Sequence, residues 1–235
     1  MKSIITMVCA LLSTVTYAGY TNESELGILI AKGNSDSESW NAKETAGMKW
    51  DADLNLLKFT GRYLQTKTKS IENARYWTLG LRYDRSLNER LGIFIGEIVE
   101  SDKYAGYNQK YNSDIGARYS LIKETKLTWD VELGYRYTIE HELTGDQKKS
   151  NYARGYTETT KNWTESVSTK FWFEYLPNLT TASDYQMNSE LSITAALNNV
   201  FSVKTGYLLR YDNLPNAGAV AKTDTLLTTA LVAKF

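Results

Sequence analysis

The sequence predicts an all-β fold: a single closed antiparallel up-and-down transmembrane β-barrel of about 12 strands, preceded by a cleavable signal peptide. Three observations predict it. Strand formers dominate, with 17 Tyr, 6 Trp and many Thr, Ser and Val in 235 residues, and helical periodicity is missing. Apolar and polar residues alternate with period two along most of the chain. Tight turns alternate with longer polar connections, as short periplasmic turns and long outer loops do in outer-membrane barrels.

The N-terminus sets the compartment. Lys2, the apolar stretch from Ile4 to Leu12 and the small-residue run from Ser13 to Ala18 have the form of an export leader. Residues 1–18 are therefore expected to be a signal peptide and 19–235 an outer-membrane β-barrel, with export to the bacterial outer membrane. The stretch is shorter than the roughly 20 apolar residues of a helical anchor. Cys9 lies inside it, which argues against a lipoprotein, and its loss leaves no cysteine for a disulfide or thiolate site. A formal charge of zero and a pI near 6.6 leave no basic surface for nucleic acid.

Each strand has its own pattern. The first, Ser24 to Lys32, sets Leu26, Ile28 and Ile30 on one face, and Gly33 to Ser37 form a turn through residues that cap their own backbone. The second, Ser39 to Trp50, opposes Trp40, Ala46 and Met48 to Asn41, Lys43 and Lys49. The third opposes Leu57, Phe59 and Tyr63 to Lys58, Thr60 and Arg62, and the fourth opposes Trp77, Leu79 and Leu81 to Thr78, Gly80 and Arg82. In the fifth, Leu91 to Glu100, Glu97 falls on the apolar face, which predicts a bulge or a slipped register; Glu44 raises the same difficulty in the second. The sixth carries Ile115, Ala117 and Tyr119, and the seventh alternates cleanly from Leu127 to Tyr137. The eighth carries Val167, Phe171, Phe173 and Tyr175, and a short ninth is expected near Leu179 to Asp184. Leu191 to Leu197, Phe201 to Tyr211 and Leu227 to Phe235 complete the count, and Pro177 and Pro215 fall between periodic segments.

Tight turns are expected at 51–53, 88–90, 122–125 and 198–199, and long outer loops at 66–74, 141–157 and 213–222. Aromatic residues gather at strand ends, with Trp40, Tyr137, Trp163 and Tyr211 assigned to the long-loop side and Trp50, Trp129, Tyr175 and Phe235 to the short-turn side. Full charges in strand centres suit a wet lumen better than a sandwich core. The final Phe235, with Thr228 and Ala230 in the same strand, resembles the mark read by the barrel-insertion machinery, an expected partner.

Glu25, Leu26 and Gly27, the run Gly33, Asn34, Ser35, Asp36 and Ser37, and the later Gly116, Ala117, Arg118, Tyr119, Trp129 and Gly134 together resemble the YdiY-like, or salt-induced, outer membrane protein family. The resemblance spans nearly the whole mature chain. It implies an outer-membrane barrel and supplies no agreed activity or functional residue.

Function is then a question of lumen and rim. The candidate lumen-lining charges are Lys43, Lys58, Arg62, Arg82, Asp84, Asp114, Arg118, Asp130, Glu132, Arg136, Lys170, Glu190, Lys204 and Arg210. Lys49, Glu25 and Glu174 fall on the same face, and basic residues are in modest excess. Twelve strands give an interior between filled small barrels and open porins, and inward Phe94 and Trp172 fill part of it. Two readings follow, a narrow, weakly anion-preferring small-solute channel and a purely structural or surface barrel. The alternative of another class is an outer-membrane hydrolase with a rim site at the single histidine, His141, near Tyr107, Thr157, Thr159 and Thr160; no G-x-S-x-G turn accompanies it. A metal site at Glu140, His141 and Glu142 is disfavoured, because adjacent strand residues point to opposite faces. No cofactor is implied. Outer-membrane lipid and lipopolysaccharide are expected surroundings, with Lys148, Lys149 and Arg154 available to meet lipid phosphates from a loop.

Overall fold

The computed structural model describes residues 19–31, 36–216 and 221–235. The expected leader, most of the turn at Gly33 to Ser37 and part of the loop at 213–222 lie outside the described residues. Twelve strands form one closed antiparallel barrel in which each pairs with its neighbours in sequence and the last pairs with the first. They are β1 (Tyr20–Ala31), β2 (Ser37–Trp50), β3 (Asn55–Thr68), β4 (Ile71–Ser86), β5 (Leu91–Asp102), β6 (Tyr107–Lys123), β7 (Leu127–Glu142), β8 (Gln147–Asn162), β9 (Val167–Pro177), β10 (Tyr185–Ala196), β11 (Phe201–Asp212) and β12 (Thr223–Lys234).

The outward face carries the large apolar side chains and leaves them bare, Leu133 at 76% and Leu227 at 69% exposure. A water-soluble domain does not expose a continuous apolar belt of this kind, whereas a lipid-facing barrel requires one. The inward face is its inverse, and buried residues there include Glu25, Asp84, Asp114, Glu132, Arg136, Arg154, Glu174 and Lys204. Full hydrogen-bonding of the barrel backbone is what allows strands to sit in lipid.

At the short-turn end, three turns are closed the same way. The Asn88 side-chain oxygen accepts from the backbone of Arg90 and Leu91 at 2.9 and 2.8 Å. Asn198 does so for Val200 and Phe201, and the Thr164 hydroxyl for Ser166 and Val167. Such side chains mimic a backbone turn, which keeps the connections short. At the opposite end the connections predicted at 66–74 and 141–157 are shorter, because the strands run on, while the one between β11 and β12 keeps its predicted bounds of 213–222. β3 and β4 meet through Lys69 and Ser70 alone, at φ of 49° and 65°.

Twelve strands emerge from the sequence through two compensating errors. The segment expected as an outer loop, 141–157, mostly belongs to strands, and Gln147–Asn162 is β8. The expected short strand at Leu179 to Asp184 is instead the connection between β9 and β10, pinned by buried Asp184, which accepts from Asn178 Nδ2 at 2.9 Å. Two aromatics change ends accordingly. Trp163 opens the turn between β8 and β9 on the short-turn side, while Tyr175 sits on the long-loop side beside Tyr185.

Nor does the register slip at Glu97. It pairs with Leu81 on one side and Ser113 on the other, points outward, and accepts from the Ser113 hydroxyl at 2.6 Å. The bulge between β5 and β6 comes later, between Glu100 and Asp102. Glu44 also faces outward, taking bonds from Asn22 Nδ2 at 2.5 Å and Ser24 Oγ at 2.6 Å. Each outer carboxylate is thus met by small polar side chains on the next strand.

The closing seam is the weakest pairing. β1 and β12 share four register positions, Glu23 to Leu26 against Lys234 to Leu231, extended by reciprocal 3.0 Å backbone bonds between Asn22 and Phe235. Every other neighbouring pair of strands shares at least the eight positions of β8 and β9.

Candidate functional site

Alternation along β4 to β9 sends three arginines and four carboxylates into the lumen, where they form one connected cluster. Arg82 on β4 donates to Asp84 at 2.7 Å and to Glu132 on β7 at 2.6 Å. Arg154 on β8 meets Glu132 at 2.6 Å and Glu174 on β9 at 2.7 Å. Arg136 on β7 takes Asp114 on β6 at 2.7 Å and Glu174 at 3.2 Å. Each guanidinium serves two carboxylates, which its planar fork of five donors does at a fixed geometry.

Glycines make the room. Gly116 and Gly134 are directly opposed on β6 and β7, and Phe94 on β5 pairs with Gly116. The buried Phe94 ring occupies the space a side chain at Gly116 would fill, and Arg82 lies over it with its guanidinium carbon 3.9 Å from the ring centre. A cation held over an aromatic face gains electrostatic attraction as well as contact. Half the lumen wall is therefore lined by a layer in which aromatic and ionic groups satisfy one another.

Elsewhere the lumen carries smaller clusters. Glu25 takes Lys43 at 3.3 Å and Lys204 at 2.9 Å, and Lys204 also reaches Glu190 at 3.6 Å. Lys170 pairs with Glu158 at 2.8 Å and Arg210 with Asp102 at 3.3 Å. Near the long-loop mouth Lys110 holds Glu140 at 2.6 Å, and Asn216, from the connection between β11 and β12, donates to the same carboxylate. That connection thus bends over the mouth to the far wall.

Between these groups lies a cavity of about 740 Å³. Its lining runs from Leu56, Asp84 and Asp130 near the short turns to Tyr104, Asn216 and Lys222 at the long-loop end. Of the charges expected in the lumen, Lys43, Lys58, Arg62, Arg82, Asp84, Asp114, Arg118, Asp130, Glu132, Arg136 and Arg210 line it. Lys170, Glu190 and Lys204 face inward into the ion pairs just described. Trp172 lines the cavity stacked on Tyr156, with ring centres 6.1 Å apart.

Arg154 is the main residue that sequence reasoning misplaced. Expected in an outer loop with Lys148 and Lys149, it is instead buried at the centre of the network, because the segment holding it is a strand. Lys148 points inward to Asp184 at 3.3 Å. The rim hydrolase arrangement is not assembled. His141 faces outward, edge-on to the Tyr111 ring at 6.1 Å and 3.5 Å from the Gln147 amide. Thr157, Thr159 and Thr160 lie toward the other end of β8, and Tyr107 is buried on the inner face.

A closed barrel, apolar outside and charged within, defines an outer-membrane β-barrel, and known proteins agree with that class. The chain belongs to the family described as "Protein of unknown function, DUF481", whose model matches residues 24–235. It is 22% identical to the uncharacterized protein YdiY of Escherichia coli (strain K12) over 205 residues, covering 87% of this chain and 79% of that protein. Among solved structures it is similar to an outer membrane channel from Pseudomonas putida F1, at a TM-score of 0.57 and 12% identity over 94% of this chain and 97% of the other. The NanC porin matches at a TM-score of 0.50 and 8% identity, over 91% of this chain and 97% of that one. These likenesses concern the fold.

Proposed function

We propose that this chain is a narrow small-solute channel of the bacterial outer membrane, exported with residues 1–18 as its leader. The observation that carries the reading is the internal cavity, lined with charge from the short-turn end to the long-loop mouth. A twelve-stranded wall is wide enough to leave space after its side chains are placed. The solved barrels of similar fold include an outer membrane channel and a porin. In the same reading the outer face meets lipid and lipopolysaccharide, and Phe235, at the seam with β1, is the residue met by the insertion machinery.

The arginine and carboxylate layer favours a second reading, a structural barrel whose filled half-lumen serves only stiffness. Planar bilayers separate the two. The purified full chain should give discrete conductance steps, and silent bilayers with verified insertion would leave the structural barrel.

A further inference from the structure

The cations of the lumen are not neutralised alike. Each of the layer arginines, Arg82, Arg136 and Arg154, has at least two carboxylates in contact, whereas Arg118 on β6 has none within 4.0 Å among the described residues. On β3 the pattern fails. Lys58 and Arg62 both line the cavity, yet among the described residues neither has a carboxylate within 4.0 Å. Arg62 Nε is also buried with no hydrogen-bond partner, as is Arg118 Nε on β6, but only Arg62 has a second cation directly opposite it. Buried donors in folded proteins are almost always satisfied, and each exception calls for an explanation.

Register makes the deficit sharper. Arg62 is directly opposite Lys43 on β2, and Lys58 is directly opposite Arg82 on β4. Like charges at directly opposed positions destabilise a sheet. Lys43 shares its carboxylate, Glu25, with Lys204, and Arg82 is committed to Asp84 and Glu132. The β2 to β4 wall therefore presents two cation pairs, about 13 Å apart along β3 at the usual rise per residue, with too few acids to balance them. Beside them stand the hydroxyl-bearing Thr60, Thr78 and Tyr76.

We propose that Arg62, with Lys43 opposite it, is a binding site for a small organic oxyanion, and that Lys58 is the next cationic station along the same wall. An oxyanion there takes the Arg62 guanidinium where it lines the cavity and offsets the repulsion across β2 and β3. A guanidinium takes a carboxylate or a phosphate through two parallel N–H donors, so both sources share the chemistry. The inference names the solute class of the channel and rests on that reading for the route to the site.

The test separates binding from conduction. Purified full chain in detergent micelles is titrated calorimetrically with sodium gluconate and, separately, with glycerol 3-phosphate. Saturable binding of either is expected, weakened about tenfold in Arg62→Gln, the loss set by one charge-assisted hydrogen bond. Lys161→Gln, on the outer face against the Trp163 ring, should bind as the unaltered chain does. Heat-dependent gel mobility verifies that each variant is folded. In bilayers under a salt gradient, Arg62→Gln and Lys58→Gln should shift the reversal potential toward cation preference. Arg62-dependent binding with silent bilayers would keep the site and remove the channel. No saturable binding of either anion, or binding indifferent to Arg62, would overturn the site even in a conducting barrel.

Discussion

The ring of Phe94 lies over Gly116 so closely that a Cβ added to the glycine would fall 2.7 Å from the ring's Cζ and 2.5 Å from the Leu133 carbonyl oxygen. The second contact is backbone, held by pairing with β7, and has no easy way to yield. Gly116→Ala should therefore destabilise the barrel by about 1–3 kcal/mol, the usual cost of overpacking. Urea unfolding in vesicles measures it. Adding Phe94→Ala should fail to restore stability, since the carbonyl contact remains; full rescue would mean that the ring alone sets the cost.

Glu174 takes both Arg136 and Arg154. Glu174→Gln leaves two buried guanidinium groups short of one acceptor, and breaking such a pair from one side costs about 3 kcal/mol. The same unfolding assay should show that loss, while the isolated exposed pair of Lys49 and Asp53, 3.6 Å apart, should contribute less than about 1 kcal/mol. Equal effects of Glu174→Gln and Asp53→Asn would contradict the layer's structural weight.

Glu97 places a carboxylate on the outer face midway along β5, where its one side-chain hydrogen-bond partner among the described residues is the Ser113 hydroxyl. Lipid solvates that group poorly, so Glu97→Leu should raise stability in vesicles by about 1 kcal/mol. In detergent, where water reaches the belt more freely, the gain should shrink. A loss in vesicles would indicate that the carboxylate meets something other than lipid.

Asn216 ties the connection between β11 and β12 to Glu140 on the opposite wall. If solute passes beneath that connection, Asn216→Ala frees it and raises single-channel conductance without altering the unfolding midpoint. Unchanged conductance would place the narrowest point deeper, at the Arg82 and Arg154 level.

Most strands were legible because one face must satisfy lipid and the other water, which writes period two into the sequence. β8 escaped for a physical reason. Its outward residues, Asn151, Ala153, Gly155, Thr157 and Thr159, are small or polar, because aromatic side chains of β7 overhang them. Tyr135 donates to Asn151, and Trp129 Nε1 to the Thr157 hydroxyl at 2.8 Å. The apolar cover for β8 is thus supplied by its neighbour, and its own aromatics, Tyr152 and Tyr156, point inward, Tyr152 buried and Tyr156 lining the cavity. No alternation remains to be read.

The turn at Lys69 and Ser70 was hidden in a similar way. A two-residue hairpin with both residues at positive φ usually announces itself through Asn and Gly, and neither occurs there. The lumen charges were legible one by one, but their partners were not. Arg82 and Glu132 are three strands apart, and only closure at a fixed register brings them to 2.6 Å. The unneutralised state of Arg62 is likewise a property of the assembled wall.

The short pairing of β1 with β12 joins segments separated by nearly the whole chain, so its hydrogen bonds carry the largest loop-closure entropy in the molecule. They are the last that folding can collect, after every local hairpin has zipped, and the first that a fluctuation can return. Amide protons along this joint should exchange with solvent ahead of those in β6 and β7. The barrel thus has a built-in order of assembly, with its circumference completed at the one place where the fewest bonds hold it shut.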